Sequence, residues 1–85
     1  MPYIKQKDRE KFTNLENELL FAVPSNAGEL NYLFTKIAHL YLTKQGTNYQ
    51  AFNDLLGALE GAKLELYRRK AVPYEDDKIK HNGDV

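Results

Sequence analysis

The 85 residues are enough for one small domain and not for two. Lysine plus arginine and aspartate plus glutamate each total 12, a balance that argues against a general nucleic-acid or membrane-surface binder, and with no cysteine there is neither a disulfide nor a cysteine-based zinc site. A chain this short buries only roughly 60–65% of its unfolded surface, so self-association is an expected way to gain burial.

The spacing of apolar residues predicts helices throughout, in a single domain over residues 1–85 with frayed ends at about 1–6 and 82–85. The first helix covers about 8–22. Asp8 is placed to cap its start, and Thr13 with Glu16 offers a capping box for a restart, so the segment reads as one helix or as a turn followed by a helix. Phe12, Leu15, Leu19 and Val23 recur at helical spacing, Leu20 widens the stripe, and Pro24 stops the helix. The second helix covers about 27–44, with Asn26 as N-cap three residues before Glu29 and Gly46 placed to close the far end. Its stripe is Leu30, Leu33, Phe34, Ile37, Leu40 and Tyr41.

The third helix covers about 48–70, opened by a Thr47/Gln50 capping box, and Phe52, Leu55, Leu56, Leu59 and Leu66 share one face. The link between these two helices is so short that an antiparallel helical hairpin of 27–44 and 48–70 is expected, their stripes facing each other. A short fourth helix covers about 73–81, with Pro73 in its first turn, acids Glu75, Asp76 and Asp77 early, bases Lys78, Lys80 and His81 late, and Asn82-Gly83 at its end. A link of two or three residues before it brings Tyr74 and the acids back beside the end of the third helix. The fold class is therefore all-α: a small helical bundle built on the hairpin, with an N-terminal helix and a short C-terminal one.

Chemistry-bearing patterns are sparse. His39 and His81 stand on different helices with no cysteine near, so no metal is expected. Ser25 is the single serine and sits in a loop without a nucleophile-elbow pattern; the glycines at 57 and 61 lie inside a helix and are not a phosphate loop. No catalytic residue, no cofactor and no enzymatic activity is expected. The apolar stretches are only a few residues long, and the opening MPYIKQKDRE lacks the apolar core of an export signal, so a cytoplasmic location without a membrane span is expected.

Three features stand out. Gly57 and Gly61, four apart and roughly opposite Phe52 and Leu59, form a small-residue strip beside Leu64 that suits close packing or a subunit interface. Lys63 falls within the apolar face between Leu59 and Leu66, where it must snorkel, pair with an acid or bind something. Tyr67-Arg68-Arg69-Lys70 ends the third helix. Its cations match the helix dipole and pair readily with Glu75, Asp76 or Asp77. The alternative is an anion site in which Arg68 or Arg69 grips a phosphate while Tyr67 and Tyr74 stack on a base.

Several patterns resemble a known family. They are Pro2-Tyr3-Ile4 with Asp8-Arg9, Gly28-Glu29-Leu30-Asn31-Tyr32, Gly57-Ala58-Leu59-Glu60, Ala62-Lys63-Leu64-Glu65, Tyr67-Arg68-Arg69, and Pro73-Tyr74-Glu75-Asp76 running into Asn82-Gly83-Asp84-Val85. Together they resemble short uncharacterised proteins of unknown function carried by bacteriophages, prophages and some bacteria, over nearly the whole chain. The resemblance implies a small intracellular accessory protein and carries over no catalytic residue; it places a cysteine where this chain has Gly61, so no essential thiol chemistry is implied here.

The expected function is a non-enzymatic helical interaction module of phage or prophage type, a homo-oligomer that binds a host or phage macromolecule. The alternative is a small-anion or nucleotide-binding, sequestering protein using Lys63, Tyr67, Arg68, Arg69 and Tyr74. A nucleic-acid factor using residues 5–11 and 63–70 is a weaker third, because those basic spans are short.

Overall fold

Every regular element in the computed structural model, which describes residues 2–85, is helical, and among the described residues there is no strand. Met1, the first residue of the expected frayed end, lies outside the described residues. In order come α1 (Gln6–Arg9), a 3₁₀ turn (Glu10–Phe12), α2 (Thr13–Phe21), α3 (Ala27–Gln45), α4 (Tyr49–Leu66), a π turn (Tyr67–Ala71) and α5 (Val72–Asn82). The contacts divide the chain into two units, Tyr3–Leu55 and, with Pro2, Leu56–Val85.

The first helical path differs from the expectation at its start. Asp8 does not cap it. The helix begins two residues earlier, and the Asp8 backbone N–H donates to the Lys5 carbonyl at 2.9 Å. The Thr13/Glu16 capping box does not form, because the chain enters from the 3₁₀ turn with Thr13 already helical and its N–H donated to the Glu10 carbonyl, and no side chain caps α2. Phe21 ends α2, three residues before Pro24.

α3 has the expected ends. The Glu29 N–H donates to Asn26 Oδ1 at 2.8 Å, and the Glu29 carboxylate accepts from the Ser25 N–H at 2.8 Å, so two backbone donors at the helix start are satisfied reciprocally. At the other end the Gly46 N–H donates to the Leu42 carbonyl at 2.8 Å, and Gly46 has a φ of 88°, a conformation that side chains disfavour.

α4 is capped by Asn48, not by Thr47. Asn48 Oδ1 accepts the Ala51 N–H at 2.9 Å, the bond the Thr47/Gln50 box was expected to supply one residue earlier. Asn is the stronger N-cap of the two adjacent candidates.

The expected separate fourth helix is instead a continuation. The chain passes from α4 to α5 through the π turn with helical dihedrals at Leu66, Ala71 and Val72, and the Val72 N–H donates to the Tyr67 carbonyl five residues back. Pro73 is the physical reason. Its ring clashes with the carbonyl four residues back and it lacks an N–H, and a wider turn just before it relieves both without ending the helix. Tyr74 and the acids after it therefore follow along the helix axis and do not fold back through a link. Gly83, φ 87°, closes α5 with its N–H on the Ile79 carbonyl at 2.9 Å.

The stripes of α3 and α4 have the expected residues but not the expected burial. Ile37 is 61% exposed and Leu59 43%; Leu30, Phe34, Phe52, Leu56 and Leu66 are exposed as well. Among the described residues only Ala51, at 4%, is buried. The faces expected to meet in a hairpin of 27–44 and 48–70 are thus exposed on each helix. Periodicity identifies the apolar side of a helix and is silent on what covers it.

Candidate functional site

The largest uncommitted feature is the pair of apolar faces. On α3, residues 30, 34, 37 and 41 follow one another at steps of three or four, as do 52, 56, 59, 63 and 66 on α4, so each set lines one side of its helix. Leu33, Tyr41 and Leu55 are half-buried, and the rest of the large apolar members are exposed. Lys63 stands within the α4 face with its side chain 73% exposed and Nζ 3.5 Å from Glu60 Oε1. The face around it is itself open, so the lysine keeps its charge in solvent beside an acid and has no burial to escape.

The opposite side of α4 is the better covered one. In the first unit Ala51 is buried, and Leu55, at the edge of the leucine face next to it, is half-buried; in the second, Gly61 and Glu65 are half-buried. The proposed small-residue strip is not uniform. A Cβ built at Gly57 meets nothing within 4 Å, Gly61 is half-buried, and Leu64 is exposed.

The basic end of α4 has a different partner from the one expected. Arg68 Nη2 lies 2.7 Å from Glu65 Oε1, and Arg69 Nε lies 3.9 Å from the same oxygen. The Glu65 side chain is only 12% exposed while both arginines are largely open, so one covered carboxylate gathers two guanidinium groups. The signal was available: Glu65 stands three and four residues before them, the spacing at which opposite charges meet on a helix. Tyr67 and Tyr74 are exposed, and Tyr74 has Lys78 Nζ 5.4 Å from its ring centroid. Lys63 pairs with Glu60 and the two arginines with Glu65, so the proposed ligand-binding cations are engaged separately.

At the other end of the chain, Ile4, Lys7, Asp8, Lys11 and Phe12 line an open cleft of about 520 Å³. Lys11 Nζ lies 5.1 Å from the Phe12 ring centroid, and Arg9 donates through Nε to the Ile4 carbonyl at 2.8 Å, so part of this basic segment's charge serves its own fold. His39 is exposed on the side of α3 away from the leucines, and His81 Nδ1 lies 3.6 Å from Asp77. Among the described residues no three metal-ligating side chains stand close enough to hold an ion. No described helix is long and apolar enough to cross a membrane.

Over residues 1–85 the chain matches the family model of a domain of unknown function, DUF6899. No curated protein and no solved structure matches it.

Proposed function

Because the chain belongs to the DUF6899 family, from which no activity carries over, its function has to be argued from its own surface, and we propose that it is a non-enzymatic helical interaction module. The observation that carries this reading is the exposure of the leucine-rich faces of α3 and α4, helices whose N-terminal ends are capped by Asn26 and Asn48. Backbone hydrogen bonding shapes these helices locally, but a short amphipathic helix draws most of its stability from covering its apolar side. A macromolecule that lies on those faces supplies that cover, and a homo-oligomer is one form of it. The competing anion-binding reading loses support from Glu65, which already engages Arg68 and Arg69.

In this reading the protein is an accessory factor of phage or prophage type, acting on a host or phage macromolecule in the cytoplasm. The resemblance of the residue patterns to those of phage-carried proteins is what supports that setting. Native mass spectrometry of the purified protein tests the module: it predicts an assembly heavier than one chain and free of small-molecule adducts. A single chain retaining a nucleotide-sized adduct would overturn it in favour of ligand sequestration.

A further inference from the structure

One motif plays no part in the leucine faces: Asn82-Gly83, at the end of α5. When an asparagine precedes a glycine, the next backbone nitrogen reaches the side-chain amide carbon with least obstruction, because glycine has no side chain to block the approach. Of the seven asparagines in the chain, only Asn82 precedes a glycine. Asn26 and Asn48 spend their side-chain oxygens on helix-start N–H groups at 2.8 and 2.9 Å, whereas Asn82 is exposed. Gly83 is exposed as well, and a Cβ built there meets nothing within 4 Å, so the space beside it is open.

One contact opposes a reaction between them. The Gly83 N–H is donated to the Ile79 carbonyl at 2.9 Å, which holds the nitrogen in the closing turn of the helix and keeps its proton in place. That turn stands at a helix end where every residue from 73 to 85 is exposed. Helix ends of this kind open locally at far lower cost than the chain unfolds.

We propose that Asn82 is a site of spontaneous deamidation and that the last turn of α5 sets its rate. When the turn opens, the Gly83 nitrogen gives its proton to a base in solvent and forms a bond to the Asn82 side-chain carbonyl carbon. The bond from that carbon to the side-chain nitrogen breaks, and the nitrogen takes up a proton and leaves as ammonia. Water then opens the resulting succinimide. Attack at the former side-chain carbonyl gives an ordinary aspartate; attack at the main-chain carbonyl gives isoaspartate, with the backbone routed through the former side chain. The sum is one water consumed and one ammonia released, with no oxidant or reductant.

Either product puts a carboxylate at the C-terminal end of α5, where the helix dipole disfavours negative charge. Isoaspartate also lengthens the main chain just before Gly83, which takes the Gly83 N–H out of register with the Ile79 carbonyl. The step uses no residue of the leucine faces, so it goes beyond the module reading and does not depend on what covers them.

The test incubates the full chain in mildly alkaline buffer made with heavy-oxygen water, folded and, in parallel, unfolded in urea. Intact mass and peptide mapping follow the label. The expected result is label at residue 82, in both aspartate and isoaspartate forms, before it reaches any of the other asparagines. A single hydrogen bond is a weak gate, so the folded chain should react roughly two- to tenfold more slowly than the unfolded one. Asn82→Gln would have to close a larger ring and should stay unlabelled at 82 in both states. Label appearing first at another asparagine would overturn the site, and label gained equally fast by Asn82→Gln would overturn the succinimide route. Equal rates in the folded and unfolded chains would overturn the gate. Protection beyond about a hundredfold, including no reaction in the folded chain, would overturn it as well, because the turn would then open only with the rest of the helix.

Discussion

The two sides of α4 use opposite kinds of residue for opposite purposes. The better-covered residues of α4 are mostly small or charged, Ala51 in the first unit and Gly61 and Glu65 in the second, with Leu55 half-buried at the edge of the leucine face. The side made of Phe52, Leu56, Leu59 and Leu66 is the open one. A self-sufficient domain would do the reverse, since burying a Leu side chain contributes about 1.5–3 kcal/mol and burying a glycine contributes little. The contrast teaches that the chain's strongest source of burial is not spent along these helices; in the proposed reading it is kept for an interface.

The contrast breaks first at its largest effect. Ile37→Ala and Leu59→Ala remove side chains from the middle of the two open faces. If a partner covers those faces, each substitution should cost the assembled protein about 2–5 kcal/mol in chemical denaturation. A loss below about 0.5 kcal/mol, the usual range for solvent-facing sites, would mean that nothing covers them.

Pro73→Ala comes next and concerns how α4 continues into α5. If the π turn accommodates the proline, alanine should restore an ordinary helical turn and stabilise the protein by roughly 1 kcal/mol, with a gain of far-UV circular dichroism helix signal. A destabilised variant would show that other contacts hold the wide turn.

A similar magnitude, about 1 kcal/mol, is expected for the loss on Asn48→Ala, while Thr47→Ala should be near neutral. Equal losses at both positions would restore Thr47 as the cap.

The elements of this fold were legible where local hydrogen bonding decides them. Asn26 with Glu29, Gly46 and Gly83 all stand where their chemistry puts helix ends. Two neighbouring cap-competent residues, Thr47 and Asn48, left the start of α4 ambiguous by one position, and the intrinsic preference for Asn resolves it. Pro73 misled for a physical reason: proline opens helices far more often than it is carried through one, and here a π turn accommodates the second case. The stripes of α3 and α4 were legible as apolar sides, whereas their cover depends on chain-level packing that no periodicity encodes. At the candidate site, the cluster from Tyr67 to Lys70 stood out in sequence, and the spacing back to Glu65 held its partner; the acids after Pro73 drew attention away because a fold-back was expected there.

The smallest effect sharpens the covered side of the comparison. Gly57 lies inside α4 with open space around it, so Gly57→Ala should raise stability by about 0.5–1 kcal/mol through helix propensity alone. A decrease would show that a partner's backbone approaches this glycine, and that the interface extends round the helix beyond the leucine face.

The central claim, that the leucine faces are covered in the working protein, is tested most directly by thiol accessibility. The chain has no cysteine, so a single introduced one reports without background. Leu59→Cys places the thiol in the middle of the α4 face, and His39→Cys places it on the exposed side of α3 away from the leucines. At micromolar protein, the cysteine at 59 should react with a small maleimide roughly tenfold or more slowly than the one at 39, its labelling limited by opening of the assembly. Equal labelling rates at the two positions would contradict the account.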